Sequence, residues 1–226
     1  MIFMKMFFDT EFTGLHMDTT LISIGIVSED GRKFYAEFLD YDESQCNDWI
    51  TENVIKNLFL EFIPMNRKYL TGNMIIQRNG KQYELGDFGL FRGRCISEYE
   101  WKREDGKTTY CKGDCCFISD CLNHWLSQFG SIQFVSDVCH YDFVLLIDLI
   151  TNGGTALDLP ENISAVCHDI NQDIAQHFGI TDAEAFDMSR EQIMNDLCGS
   201  EDIVTGDKHN SLYDAEVIKA IWEQIH

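Results

Sequence analysis

Short runs of apolar and β-branched residues alternate along the chain with longer segments of helical spacing. The runs that predict strands are Phe3 to Asp9, Leu21 to Ser28, Lys33 to Leu39, Ile132 to Ser136 and Ile163 to His168. The segments that predict helices are Asp48 to Phe59, Ser119 to Phe129, Tyr141 to Ile150, Ile170 to Phe178, Arg190 to Leu197 and Ala215 to Ile225. Three strands followed by strand–helix alternation predict an α/β protein, with a five-stranded mixed sheet flanked by helices.

A segment at about residues 64–116 interrupts this order and is predicted to be an inserted, β-rich arm. Asn79-Gly80 separates two strand-like runs, which is the pattern of a hairpin turn. From Pro64 to Lys112 there are ten Lys or Arg against six Asp or Glu, with aromatic residues among them. The arm could stack on unpaired bases, but a solvated hairpin with one packed aromatic face explains the same pattern. We expect one domain over residues 1–226 that carries this arm.

Composition is that of a globular chain without a membrane segment. Of its 226 residues 45% are hydrophobic, Met1 to Phe8 lacks the features of a signal peptide, and no apolar stretch approaches about 18 residues. Nine cysteines in this context predict free thiols and a cytoplasmic location. Five residues could form a zinc site, although their spacing lacks paired C-x₂-C knuckles: Cys111, Cys115, Cys116, Cys121 and His124.

Three short segments carry acidic residues in positions suited to chemistry. Asp9 ends an apolar strand, and Glu11 lies two residues on, so both side chains point to the same face. Asp142 begins a helical apolar run, and Asp214 opens the last predicted helix with His209 in the polar loop before it. Each Asp or Glu alone is more typical of a solvated surface, and Asp214 alone could be a helix cap. If the four carboxylates converge, they require cations among them, and a pair of divalent ions is the machinery that cleaves phosphodiester bonds.

These segments, DTEFTGL, CHYDFVLL and HNSLYDA, resemble the three motifs of the DEDDh (DnaQ-like) 3′–5′ exonuclease superfamily, and most closely its compact bacterial and phage exoribonuclease branch. The resemblance implies a ribonuclease H-like fold. It also implies that two Mg²⁺ or Mn²⁺ ions are bound by Asp9, Glu11, Asp142 and Asp214, with His209 as the general base. Three further residues would contact the substrate at the 3′ end: Thr10, Phe12 and Leu15. The implied reaction removes nucleoside 5′-monophosphates one at a time.

The second motif departs from the family pattern, because Ser136, Asp137, Val138 and Cys139 stand where many relatives carry His-Asn. Asp137 is therefore a rival to Asp142 as a ligand, and Asp142 is preferred because it follows Tyr141 and begins the apolar run.

The net charge of −21 disfavours a grip on long duplex, since phosphate binding relies on Lys and Arg. We expect a single-stranded 3′ end as substrate, with RNA preferred over DNA, and a homodimer is plausible. The alternatives are a DNA-directed 3′–5′ exonuclease, a phosphoesterase acting on a small nucleotide ester, and a non-catalytic interaction module of the same fold.

Overall fold

The computed structural model describes residues 3–60, 74–78, 81–85, 99–103, 107–199 and 202–226. In these ranges one sheet contains nine strands, β1 to β9 in chain order: Met4–Phe12, Leu21–Ser28, Lys33–Phe38, Met74–Arg78, Lys81–Leu85, Tyr99–Arg103, Thr108–Gly113, Ile132–Ser136 and His168–Asp169. The order across the sheet is β4-β5-β6-β7-β3-β2-β1-β8-β9. Seven helices, α1 to α7, accompany it: Asp48–Asn53, Cys115–Leu126, Cys139–Thr151, Ile170–Phe178, Asp182–Asp187, Arg190–Leu197 and Ser211–Ile225.

The sheet is mixed and flanked by helices, as predicted, but the predicted count of five strands is wrong. β1, β2 and β3 pair antiparallel, whereas β8 lies parallel to β1 and β9 parallel to β8. β7 adds a further strand, parallel to β3, with Lys33 opposite Thr108. Its pairing satisfies the backbone groups on the outer edge of β3, which would otherwise be exposed.

The strands of the predicted arm continue the same sheet. β4 and β5 pair antiparallel with Arg78 opposite Lys81, as expected of a hairpin, and β6 pairs with both β5 and β7. The Asn79-Gly80 turn lies outside the described residues, as do Arg67, Lys68, Arg92 and Arg94 of the basic set. That residues 64–116 form an inserted arm of a single domain stays a prediction.

Several elements differ in length from their predictions, and hydrogen bonds explain two of the differences. α2 begins at Cys115 rather than Ser119, because Asp114 caps it by accepting from the Phe117 N–H, while the Ser119 hydroxyl donates to the Leu149 carbonyl. α1 does not run to Phe59, because the Phe59 and Leu60 N–H groups donate to the buried Glu37 carboxylate. The predicted strand at 163–168 is reduced to β9 and an isolated bridge between Ile132 and Ile163.

Two cores lie on opposite faces of the sheet, and neighbouring residues of β1 contribute to each. Met6 and Phe8 belong to the core that α2 and α3 cover, whereas Phe7 belongs to the core that α4, α6 and α7 cover. The alternation follows from the two-residue period of a strand. Because Asp9 and Glu11 have the same parity as Phe7, they face the side of the sheet on which α7 packs. None of the helices in the described part of the chain has the length and apolar character of a membrane-spanning segment.

The first turn of α7 lies directly on β2 at Gly25. A Cβ atom at Gly25 would be 2.3 Å from the backbone of Ser211 and Leu212, much closer than van der Waals contact. Gly25 is also the partner of Asp9 across the β1–β2 pair. Glycine is required here because any side chain would push α7 away from the end of β1 that carries the acids.

We expect Gly25→Ala to lower the free energy of unfolding by about 1–3 kcal/mol, since it forces overpacking against backbone that cannot move alone. Urea titration monitored by circular dichroism measures the change. Gly130→Ala is the matched control, because the site is open, with nothing near a new Cβ, and should change stability by less than about 0.5 kcal/mol. Equal stabilities of the two variants would contradict the close approach of α7.

Candidate active site

The predicted acidic residues meet at the C-terminal end of β1. Asp9 and Glu11 lie in the last four residues of this strand, and Asp214 lies in the first turn of α7, which packs on β1 and β2. The Ser23 and Ser211 hydroxyls are 3.0 Å apart and fix the start of α7 on β2. The Asn210 side chain caps the helix by accepting from the Tyr213 N–H, so Asp214 is not needed as its cap.

Asp142 reaches the same place from α3, on the other face of the sheet. It lies in the first turn of that helix and is buried, at 1% exposure. The Thr10 hydroxyl donates to its Oδ1 (2.6 Å) and the Ser136 hydroxyl to its Oδ2 (2.8 Å). These two hydrogen bonds fix the carboxylate and join the ends of β1 and β8 to α3.

Two groups of side chains in the described residues have the geometry to hold a metal ion. The first contains Asp9, Asp137 and Asp142, and the second contains Glu11, His209 and Asp214. In each group one potential ligand atom per residue lies within 4.8 Å of the others. Both groups line a cavity of about 580 Å³. Carboxylate oxygens are suited to hard divalent cations such as Mg²⁺ and Mn²⁺.

The carboxylates destabilise one another's charged forms. Burial, followed by the negative charge of Asp142, raises the pKa of Asp9 well above its usual value. Burial also raises the pKa of Asp142 to about 7, and burial with the charge of Glu11 raises that of Asp214 to about 8. The Asp9 Oδ2 atom is buried and has no hydrogen-bond partner among the described residues. An orphaned carboxylate oxygen between acids is a position that a cation would satisfy.

His209 lines the cavity and has an uncommon backbone conformation. Its φ is 62°, in the left-handed region, which a non-glycine residue adopts at some cost. This turn lets its N–H donate to Asp214 Oδ2 (2.9 Å) while its ring projects toward Glu11, with Nδ1 3.6 Å from Oε1. The exposed Trp49 ring meets the imidazole edge-on at 4.9 Å. The imidazole is thereby held beside the acids, with 30% of its side chain exposed.

Asp137 shares a metal-capable group with Asp142, although the sequence presents the two as rivals. Its Oδ2 accepts a hydrogen bond from Arg190 Nε at 2.9 Å, and 15% of its side chain is exposed. Arg190 begins α6, 53 residues further on, and no sequence pattern connects it to the acids. Arg190 could not be predicted from the sequence, because only the folded chain brings α6 beside β8.

The residues predicted to contact substrate occupy different environments. Phe12 and Leu15 line the cavity; Phe12 stacks on Tyr141 with ring centres 5.8 Å apart, and Leu15 is 71% exposed. Thr10 is buried, and its hydroxyl is engaged with Asp142. Two exposed aromatic residues that the sequence reasoning did not select, Trp49 and Phe186, also line the cavity. Exposed rings on helices are a signal that becomes visible only when the cavity is known.

Two curated proteins are similar to part of the chain. Both come from Mycobacterium tuberculosis, one from strain CDC 1551 / Oshkosh and one from strain ATCC 25618 / H37Rv. Both are named as 3′–5′ exoribonucleases. Each is 40% identical to the chain over 55 residues, which are 24% of this chain and 33% of the relative. The match therefore spans about a third of the length of these relatives. No protein-family model matches the chain.

The cysteine cluster is not assembled as a metal site. Neither metal-capable group in the described residues includes Cys111, Cys115, Cys116, Cys121 or His124. Cys111 and Cys121 are buried in the core under α2, whereas Cys116 is exposed on the same helix. α2 directs Cys116 and Cys121 to different faces, and Cys111 lies on β7. None of the eight cysteines in the described residues forms a disulfide.

The raised carboxyl pKa values predict that the metal-free protein loses stability as the pH rises. Asp142 and Asp214 bind a proton more tightly in the folded chain than in the unfolded chain, where an aspartate pKa is near 4. The folded state therefore holds more protons between about pH 4 and pH 8, and the free energy of unfolding falls through this window. We expect a higher melting temperature at about pH 5 than at about pH 8.5, measured in EDTA.

Two variants control this experiment. Asp214→Asn removes one of the groups and should flatten the decline. Asp30→Asn should leave the slope unchanged, because its ion pair with Arg32 lowers the Asp30 pKa to about 2, outside the window. A melting temperature that rises from pH 5 to pH 8.5 would contradict the burial of the acids as protonated groups.

Proposed function

We propose that the protein is a metal-dependent 3′–5′ exonuclease of the DEDDh type, with a ribonuclease H-like fold, that acts on single-stranded RNA. One observation carries the proposal: Asp9, Glu11, Asp142 and Asp214 converge from three separate segments around a buried Asp9 oxygen that has no hydrogen-bond partner among the described residues. The strand order β3-β2-β1-β8-β9, antiparallel and then parallel, supports the fold. The mycobacterial relatives are named as 3′–5′ exoribonucleases, which supports the proposed activity.

The residues of the site fit two divalent cations, Mg²⁺ or Mn²⁺. Their donors are carboxylate oxygens, and burial together with the negative charges of neighbouring acids raises the pKa values of Asp9, Asp142 and Asp214, so that a bound cation would stabilise their ionised forms. Asp9, Glu11, Asp142 and Asp214 would hold the ions. When bound, the ions would supply Lewis-acid stabilisation of the attacked phosphate and of the leaving 3′-oxygen.

In this proposal His209 is the general base that takes a proton from the attacking water. Its ring lies beside Glu11, and its backbone N–H donates a hydrogen bond to Asp214. The imidazole therefore borders the acids without being enclosed by them. The contact with Trp49 restricts the ring orientation. A histidine is suited to this task because its ordinary pKa is close to neutral pH.

We place the 3′-terminal nucleotide against Phe12 and Leu15, which line the cavity beside the acids. The apolar side chains would contact the terminal base, and the exposed Trp49 and Phe186 rings offer further stacking surfaces. The buried Thr10 acts in this scheme through Asp142, which its hydroxyl orients, rather than by touching the base. The proposed preference for RNA over DNA rests on the naming of the two relatives as exoribonucleases.

The direct test is a time course with Mn²⁺ on matched 5′-labelled single-stranded RNA and DNA oligomers. We expect products that shorten one nucleotide at a time from the 3′ end, faster on RNA. Asp9→Asn should abolish the ladder, because it removes the central acid. Asp30→Asn is the matched control, since its carboxylate lies outside the cavity, and should act as wild type.

The possible results separate the candidate functions. A faster ladder on DNA would favour the DNA-directed exonuclease. Intact oligomers with hydrolysis of a mononucleotide ester would indicate the phosphoesterase. If the folded protein cleaves none of these substrates, the proposal of catalysis is wrong and a binding module is favoured.

His209→Asn should lower kcat by about 10²–10⁴-fold, the usual contribution of general base catalysis, and leave the Mn²⁺ dissociation constant unchanged. Asn is chosen because it tolerates the left-handed backbone at this position and keeps the backbone hydrogen bond from N–H to Asp214. Single-turnover kinetics and isothermal titration calorimetry provide the two measurements. The exposed His124, mutated in the same way, is the control. A parallel loss of metal affinity would identify His209 as a ligand instead.

A further inference from the structure

The ion pair of Asp137 and Arg190 is built into the wall of the cavity and needs an explanation. Both residues line the cavity, and their side chains are only 15% and 13% exposed. The chain has a net charge of −21 and only 17 Lys and Arg residues, and one of these cations is largely buried beside the acids. Its contacts show whether it faces the cavity or the protein.

Arg190 is held by the protein on nearly every side. Nε donates to Asp137 Oδ2, Nη1 donates to the Ala185 and Met188 carbonyls at 2.9 and 3.0 Å, and Nη2 donates to Asn171 Oδ1. Four acceptors use most of the five N–H groups that a guanidinium offers. Arg190 is therefore a fixed part of the scaffold rather than a free clamp for substrate phosphate.

The same network fixes the backbone of Asp137. The Asn171 amide nitrogen donates to the Asp137 carbonyl and to Asp169 Oδ1, each at 2.7 Å. Asp137 is thus anchored through both its main chain and one carboxylate oxygen. Within the described ranges, its other carboxylate oxygen accepts no hydrogen bond. A carboxylate oxygen of Asp137 lies within 4.8 Å of ligand atoms of both Asp9 and Asp142.

We infer that Asp137 is a further carboxylate of the metal centre, directed at the cation held by Asp9 and Asp142, and that Arg190 is the residue that positions it. The inference rests on the proposed function. A second observation besides the acidic cluster supports it: Asp9 of the same group has a buried oxygen, Oδ2, to which no atom in the described part of the chain donates a hydrogen bond.

Charge balance supports the assignment. With Asp137, the site contains five carboxylates and therefore five negative charges when all are ionised. Two divalent cations neutralise four of them, and the Arg190 guanidinium neutralises the fifth. Arg190 bonds a single oxygen of Asp137, so it compensates the charge and still leaves the other oxygen free to face the cation or a water bound to it.

The test measures metal binding directly. Mn²⁺ is titrated into the wild type and into Asp137→Asn, with free Mn²⁺ followed by electron paramagnetic resonance. The substitution keeps the size of the side chain and an oxygen that accepts from Arg190. We expect the dissociation constant of one Mn²⁺ site to rise about 10–100-fold, the range seen when residues that support metal ligands are changed. Asp30→Asn removes the acid of another Asp–Arg pair, which lies outside the cavity, and should leave the Mn²⁺ dissociation constants unchanged.

A double-mutant cycle tests the positioning role of Arg190. If Arg190 acts through Asp137, the Arg190→Gln variant should weaken Mn²⁺ binding, and the double variant should bind no more weakly than Asp137→Asn alone. Melting temperatures in EDTA give an independent measurement. A merely structural ion pair would lower the melting temperature of both single variants without changing their Mn²⁺ affinity.

The outcomes distinguish this inference from the proposed function. If the wild type binds Mn²⁺ and Asp137→Asn binds it equally well, the role of Asp137 is wrong and the exonuclease proposal stands. If Arg190→Gln alone retains wild-type affinity, Arg190 does not position Asp137. If the folded wild type binds no Mn²⁺, both the metal centre and this extension of it are wrong.

Discussion

Electrostatic repulsion between buried carboxylates is the constraint on which the site depends. Two unit charges about 4 Å apart repel by about 4 kcal/mol even at the moderate effective dielectric of a protein surface. The fold tolerates the acids by supplying donors to some of them: Thr10 and Ser136 to Asp142, and the His209 N–H to Asp214. Asp9 Oδ2 receives none from the described residues. This buried oxygen belongs to an aspartate on which four other acids act, which is what a cation site requires and what a structural polar cluster avoids.

Backbone geometry brings the acids together. α7 can carry Asp214 to β1 only because Gly25, opposite Asp9, has no side chain to separate the helix from the sheet. The left-handed backbone of His209 then turns its ring toward Glu11 while its N–H reaches back to Asp214. Neither Gly25 nor the backbone of His209 takes part in a reaction. Both are local costs that packing elsewhere offsets, and such costs are commonly concentrated at functional sites.

The parts of the site that depend on local pattern could be predicted from the sequence, whereas those that depend on tertiary contact could not. Two local signals are the apolar strand that contains Asp9 and the helix that begins near Asp214. Because side chains two residues apart on a strand share a face, Glu11 could be placed beside Asp9. The start of α2 was misjudged because Asp114 and Ser119 are both good caps, and only packing selects between them. The place of β7 beside β3 and the pair formed by Asp137 and Arg190 join residues that are distant in sequence, and no period reveals them.

The distribution of charge limits how a polynucleotide could be held. A net charge of −21 repels a phosphate backbone, and the two cations that line the cavity, among the described residues, are already paired, Arg190 with Asp137 and Lys208 with Glu191. At this cavity, attraction for a polynucleotide would therefore come from bound divalent ions and from rings such as Trp49 and Phe186. Each further nucleotide outside the cavity adds a phosphate that the acidic body repels. Under the proposed function, the same electrostatics that demand cations at the site would favour a short or single-stranded end over long duplex.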